Sequence, residues 1–210
     1  MKNIIKSEEP ASLKEFKAKK PMDWGTIHKD ENKHVYEDCI LQCMEDQNNL
    51  CGYTEARLNE QYHIDHFIKR SIDRDMTFEW ENMIASVHDS RFGADFKDKN
   101  ITSKEYDSKK KRYYHILSPV WDDLSNRFAY STRGAIMPID PNDRDAYQTI
   151  ERFNLNEASL CSRRKQAMAA ARKMLHAQMA KEEVTCYLAD AGFPTAIAYE
   201  LSMTDNDDTL

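Results

Sequence analysis

The chain has 210 residues, of which 40% are hydrophobic and 31% are charged, enough for one large domain or a small catalytic unit with helical additions. Its 5 glycines and 6 prolines exclude a fibrous repeat and argue against disorder. No apolar run approaches the length of a membrane span, and the first twenty residues lack the apolar core of a secretory signal, so we expect a cytoplasmic protein with no membrane contact.

The cysteines and the net charge further limit the classes of protein to which the chain could belong. The five cysteines are odd in number, scattered and without a C-x-x-C pair, so neither a disulfide scaffold nor a structural zinc site is supported. The formal net charge of −6 is not that of a typical nucleic-acid binder. Basic clusters at 109–112 and 163–165 nevertheless leave room for a phosphate-binding face.

The first half of the chain predicts two helices and a strand. Between Lys29 and Asn48, apolar residues recur at helical spacing, which predicts an amphipathic helix. Residues Tyr62 to Ile68 alternate in polarity, as a strand does. The spacing of apolar residues from Thr77 to Asp89 favours a second helix.

The second half predicts a hairpin followed by helices. The alternating segment around Gly134, within 128–138, predicts two short strands joined by a turn. From about Ala146 the chain is rich in alanine and other strong helix formers until Gly192. A last short helix is predicted from Thr195 to Met203, before an acidic tail.

The segment His63-Ile64-Asp65-His66 places two imidazoles around a carboxylate. Such a group forms either an ordinary solvated turn or the start of a metal-dependent site. In metal-dependent phosphodiester cleavage, a neutral imidazole can take a proton from water and a cation held by oxygen ligands can stabilise the leaving group. Further possible ligands follow Asn82, namely His88, Asp89, Asp95 and Asp98.

Several segments resemble one nuclease family in the same order along the chain. They are CGYTEARL (51–58), HIDHFIKRS (63–71), FEWENMIAS (78–86), ILSPVWDD (116–123), FAYSTRGAIMP (128–138) and TIERFNLNEASLCSRR (149–164). Together they are similar to the PtuB branch of the HNH endonucleases, the nuclease subunits of Septu-type and retron-associated anti-phage defence systems. The resemblance covers roughly residues 1–165 and departs from the family in the cysteines, since only Cys51 remains of the usual zinc-binding pairs.

The resemblance implies a role for each matching residue. His66 would be the general base and Asp65 a metal ligand. Asn82 would hold the loop through its side-chain amide. Asp95, or failing that His88, would be the ligand that the following helix returns to the metal.

Three further residues are implied to contact the substrate. His63 would contact phosphate or hold Asp65, and Arg91 and Lys97 would neutralise the scissile strand. The metal would be Mg²⁺, or alternatively Mn²⁺, because oxygen ligands and a phosphate suit a hard cation.

The implied fold class is α+β and mostly helical: a small ββα-metal (HNH) core, a second short β-hairpin, and helical N- and C-terminal additions. We divide the chain into an N-terminal helical segment (1–50), the nuclease core with its hairpin (51–145), a C-terminal helical region for partner docking (146–204) and an acidic tail (205–210).

Two functions stay open at this point. The first is an endonuclease that cuts DNA or tRNA in an anti-phage complex, controlled by a PtuA-type ATPase and in some operons joined by a reverse transcriptase with its small DNA product (msDNA). The second is a catalytically inactive helical adaptor of the same kind of complex. The missing cysteines favour the adaptor, while the intact Asp65, His66 and Asn82 favour the nuclease.

Overall fold

A computed structural model describes residues 1–59 and 61–203. Its helices are α1 Ala11–Ala18, α2 Lys33–Asp46, α3 Gly93–Asn100, α4 Arg144–Arg152, α5 Ala158–His176, α6 Lys181–Tyr187 and α7 Pro194–Met203. Its strands are β1 Tyr62–His66, β2 Met83–Val87, β3 Tyr106–Asp107, β4 Arg112–Tyr113, β5 Phe128–Tyr130 and β6 Ile136–Pro138. The strands pair as β1–β2, β3–β4 and β5–β6, all antiparallel. The α+β class is therefore confirmed.

The central hairpin is formed by β1 and β2, with His63 opposite Ser86 and Asp65 opposite Ile84. Helix α2 packs against both strands, and α3 contacts β2. The predicted strand is confirmed for Tyr62–His66. The second element of the hairpin was not expected from the apolar spacing, since we predicted a helix from Thr77 to Asp89.

Strand β2 forms where a helix was predicted because its partners satisfy its backbone. The Gln47 side chain accepts a hydrogen bond from the Ala85 N–H and donates one to the Ala85 carbonyl, both at 2.8 Å. On its other edge β2 pairs with β1. A short apolar run does not distinguish a buried strand from a buried helix, and here the tertiary partners decide.

The hairpin of β5 and β6 is confirmed, and its turn explains Gly134. This glycine has φ +79°, and a Cβ atom there would lie 2.1 Å from the Cys161 carbonyl oxygen. Any side chain would therefore collide with α5. The predicted last helix is also confirmed, as Pro194–Met203.

The predicted long C-terminal helix is interrupted between α5 and α6. Gln178 has φ +63°, and the Glu183 side chain accepts a hydrogen bond from the Ala180 N–H at 3.0 Å, which caps α6. The chain reverses there, so α6 contacts both α5 and α7. None of the described helices is long and apolar enough to cross a bilayer.

The N-terminal, central and C-terminal segments share one hydrophobic core. Glu55 joins all three, since its carboxylate pairs with the Met1 amino group at 2.8 Å and accepts a hydrogen bond from the Thr195 N–H at 3.0 Å. The proposed boundaries near 50 and 145 thus separate stretches of sequence that pack together. The predicted acidic tail, 205–210, lies outside the described residues.

Candidate metal site and its surroundings

Strands β1 and β2 and helix α3 bring together most of the residues singled out in the sequence. Successive side chains of a strand point to opposite faces. His63 and Asp65 accordingly reach side chains of α3, while His66 contacts Trp24, which precedes α2. The predicted acid, Asp65, and the predicted base, His66, therefore face opposite sides of the hairpin.

The Asp65 carboxylate is engaged in a buried ion pair. Its Oδ2 accepts hydrogen bonds from the Lys97 ammonium at 2.6 Å and from the Tyr53 hydroxyl at 2.5 Å. Burial raises the pKa of Asp65, and the charge of Lys97 opposes that shift. The expectation that Asp65 faces a metal is not met, because a lysine ammonium occupies the position where a cation would contact this oxygen.

Lys97 has no exposed side-chain surface. Besides Asp65, its ammonium donates to the carbonyl oxygens of His66 at 2.6 Å and Phe67 at 3.3 Å. The resemblance implied that Lys97 neutralises the scissile strand, but a fully buried ammonium cannot reach a nucleic acid. Lys97 fastens α3 to β1 instead.

His66 is buried against Trp24, with ring centroids 4.5 Å apart in an edge-to-face arrangement. Its Nε2 lies 2.8 Å from the Thr77 carbonyl oxygen, so Nε2 carries the hydrogen. Burial, helped by the positive charge of Arg70, lowers the pKa of His66 to about 3. An efficient general base has a pKa near the working pH, so the predicted role of His66 does not fit this environment.

The low pKa of His66 predicts a specific dependence of stability on pH. The unfolded chain protonates this residue near pH 6.5, whereas the folded protein does so only at about pH 3. Its contribution to stability is complete above pH 6.5 and is lost as the pH falls towards 3. Between pH 6.5 and 4.5, this residue should cost about 2–3 kcal/mol of unfolding free energy.

Urea unfolding of the wild type and of His66→Gln across that range measures this loss. The variant should have the shallower pH dependence, whatever its stability at pH 8. His34→Gln is the matched control, because His34 is exposed on α2. Parallel curves for wild type and His66→Gln would show that His66 titrates normally in the folded protein.

Asn82 is fully buried at the end of the loop that connects β1 to β2. Its side-chain Oδ1 accepts a hydrogen bond from the Ile68 N–H at 2.7 Å, and its Nδ2 donates to the carbonyl oxygens of Ile68 and Met76 at 3.0 and 2.9 Å. The amide thus holds both ends of this loop to each other. It acts on backbone groups alone.

Three other residues do converge on the α3 side of the hairpin. His63 of β1, His88 just after β2, and Asp95 in the first turn of α3 each offer one ligand atom, and these atoms lie within 4.8 Å of one another. His88 Nδ1 is 2.9 Å from Asp95 Oδ2, and His63 Nε2 is 3.9 Å from Asp95 Oδ1. We call these three residues the candidate metal site.

The donor set fits a divalent ion. Among the described residues, the buried Nδ1 of His63 has no hydrogen-bond partner, and the other ring nitrogen, Nε2, faces the Asp95 carboxylate. Ligands about 2.1 Å from an ion lie about 3 Å apart, so binding requires a modest closure. The His88 side chain is 67% exposed and can rotate to provide it. Two imidazoles and one carboxylate suit Mn²⁺, Co²⁺ or Zn²⁺ better than Mg²⁺.

Asp95 and His88, which the resemblance gave as alternative ligands from the helix, lie in contact, with Asp95 on α3 and His88 before it. His63 lies beside them, where Asp65 was expected. The alternation of β1 was a usable signal for this, because it puts His63 on the same face as Asp65. Arg91 is exposed, and its guanidinium is paired with Asp89 at 2.7 Å, which also raises the pKa of Arg91.

Comparison with known proteins adds no assignment to this geometry: no protein-family model matches the chain, and no curated protein matches it.

Proposed function

We propose that the protein is a metal-dependent endonuclease subunit that hydrolyses phosphodiester bonds in nucleic acid, DNA or RNA, with its cation held by His63, His88 and Asp95. The observation that carries the proposal is the convergence of these three donors on one side of a ββα unit. A divalent cation supplies Lewis-acid polarisation of a phosphoryl oxygen. His63 and Asp95 are partly buried and would fix the ion, while the exposed His88 would close on it.

The resemblance to PtuB nucleases extends the proposal to partners. We propose that the subunit works in the cytoplasm in an anti-phage complex with a PtuA-type ATPase, and in some operons with a reverse transcriptase and its msDNA. Five free thiols, among them the neighbouring Cys39 and Cys43, suit a reducing compartment. Burial raises the pKa of Cys39 to about 12 and that of Cys43 to about 11, which keeps both as unreactive thiols.

A second function is favoured by one observation. The Asp65 carboxylate is neutralised by Lys97, and His66 is buried, so the pair that implied nuclease activity is used for packing. A catalytically inactive adaptor would have this arrangement. It would not need two histidines and an aspartate whose ligand atoms converge within 4.8 Å of one another.

Incubation of the purified protein with plasmid DNA and with total RNA, in Mn²⁺, in Mg²⁺ and in EDTA, separates the two functions. We expect cleavage in Mn²⁺, weaker cleavage in Mg²⁺ and none in EDTA, because imidazole ligands favour the transition metal. His66→Gln should retain cleavage to within about tenfold, since no proton transfer is assigned to that residue. Failure of the wild type both to cut and to bind Mn²⁺ would favour the adaptor.

A further inference from the structure

Three surface depressions adjoin one another around the candidate metal site. The middle one contains His88, Asp95 and Asp98. His88 also lines the depression on one side, and Asp98 also lines the depression on the other side. We call the three depressions together the groove; two residues of the candidate metal site, His88 and Asp95, line its middle.

The charges along this groove are arranged by sign. One end is lined by Arg163 and the carboxylate of Asp89, and by Arg57, whose guanidinium is paired with Asp190 at 2.9 Å. The middle is lined by Asp95 and Asp98 against Lys99. The groove is thus acidic in the centre, where a cation would bind.

The other end is a depression of about 550 Å³ that contains Lys69, Arg70 and Arg74 against the carboxylates of Asp23 and Asp98. We call it the basic pocket. Trp24 and Phe78 also line it. With the Arg163 end, it gives the groove an excess of cations on both sides of its centre, in a chain whose net charge is −6.

The arginines of the basic pocket are available to a ligand. Arg70 and Arg74 are both exposed, and within 1–59 and 61–203 neither forms an ion pair. The Arg70 guanidinium lies 5.7 Å from the centre of the Trp24 ring, which positions it at the wall of the pocket. Lys69 is fixed by the carbonyl oxygens of Asp98 and Ile101, at 2.5 and 2.9 Å, so its charge stays in place.

We infer that the groove binds the sugar-phosphate backbone of a polynucleotide, with Arg70 and Arg74 holding phosphates on one side of the scissile linkage and Arg163 holding a phosphate on the other. The inference rests on the proposed nuclease function for the position of the cut, but the binding itself needs no metal. Guanidinium groups recognise phosphate oxygens through paired hydrogen bonds. Trp24 is 6% exposed, so its ring serves as a wall of the basic pocket and the exposed guanidinium groups carry the recognition of phosphate.

The test is fluorescence anisotropy in EDTA with labelled single-stranded DNA, duplex DNA and single-stranded RNA of one sequence. The variants are Arg70→Gln/Arg74→Gln and the charge-preserving Arg70→Lys/Arg74→Lys. Arg133→Gln/Arg144→Gln is the matched control, because both residues are exposed and neither lines the groove.

Loss of two phosphate contacts should raise Kd roughly tenfold. It should also make the negative slope of log association constant against log salt concentration shallower by about 2. The lysine pair should restore the slope, and the control should match the wild type. The comparison of the three nucleic acids identifies which kind of polynucleotide the groove binds. It is the one that binds most tightly and whose binding depends on Arg70 and Arg74. An Arg70→Gln/Arg74→Gln protein that binds all three like the wild type would overturn the inference, as would a wild type that binds none.

The result is separable from the proposed function. If the protein binds metal and cleaves nucleic acid but the arginine substitutions do not change affinity, the inference about the groove is wrong and the proposed nuclease function stands. If binding depends on the arginines but the protein neither binds Mn²⁺ nor cleaves nucleic acid, the groove is a polynucleotide-binding surface and the proposed nuclease function is wrong.

Discussion

A Lys97→Met protein is expected to lose about 3–5 kcal/mol of unfolding free energy. The substitution keeps much of the volume of the side chain but leaves the Asp65 carboxylate buried without its counter-charge. It also removes the donor to the His66 and Phe67 carbonyl oxygens. Chemical denaturation monitored by circular dichroism measures the loss.

Two comparisons make this prediction specific. Lys99→Met lies on the same helix at an exposed position and should change stability by no more than about 0.5 kcal/mol. The deficit of Lys97→Met should shrink as the pH falls, because burial favours the protonated form of Asp65 and protonation removes the unpaired charge. A Lys97→Met protein as stable as the wild type would contradict the buried ion pair.

Asp95→Asn should abolish Mn²⁺ binding and reduce cleavage by about 10³-fold or more, if the proposed function holds. Asp95 supplies the only carboxylate of the candidate metal site, and metal stabilisation of several kcal/mol corresponds to at least that factor in rate. Titration of Mn²⁺ followed by electron paramagnetic resonance measures binding, and a nicking assay on plasmid DNA measures cleavage.

Asp38→Asn is the matched control, because Asp38 is exposed on α2 and belongs neither to the three ligands nor to the lining of the groove. It should bind Mn²⁺ and cut at close to the wild-type rate. Undiminished Mn²⁺ binding by Asp95→Asn would show that the three residues do not hold the ion. Loss of binding without any cleavage by the wild type would identify a metal site in a protein that is not a nuclease.

The sequence was most informative where local chemistry fixes the chain. Polarity alternation predicted β1, and alternation on both sides of a turn-forming glycine, Gly134, predicted β5 and β6. It failed for β2, whose strand conformation depends on the Gln47 side chain, 38 residues away in sequence. It also failed at Gln178, where no glycine or proline marks the reversal between α5 and α6.

The candidate site shows the same division. The resemblance gave Asp95 and His88 as alternative ligands, and the structure places them in contact. The environment of Asp65 could not be foreseen, because the direction of a lysine side chain is set by packing. Lys97 and Asp65 are 32 residues apart, and only the docking of α3 on β1 brings their charged ends within 2.6 Å.

The Lys97 ammonium beside Asp65 makes the hairpin independent of the ions in solution. A cation that is covalently part of the chain cannot be extracted by a chelator, exchanged for another ion or diluted away. The negative charge of Asp65 therefore stays neutralised at low ion concentrations. The packing of α3 on β1 does not depend on a bound ion, so a metal held by His63 and His88, as proposed, would bind and leave without loosening the hairpin.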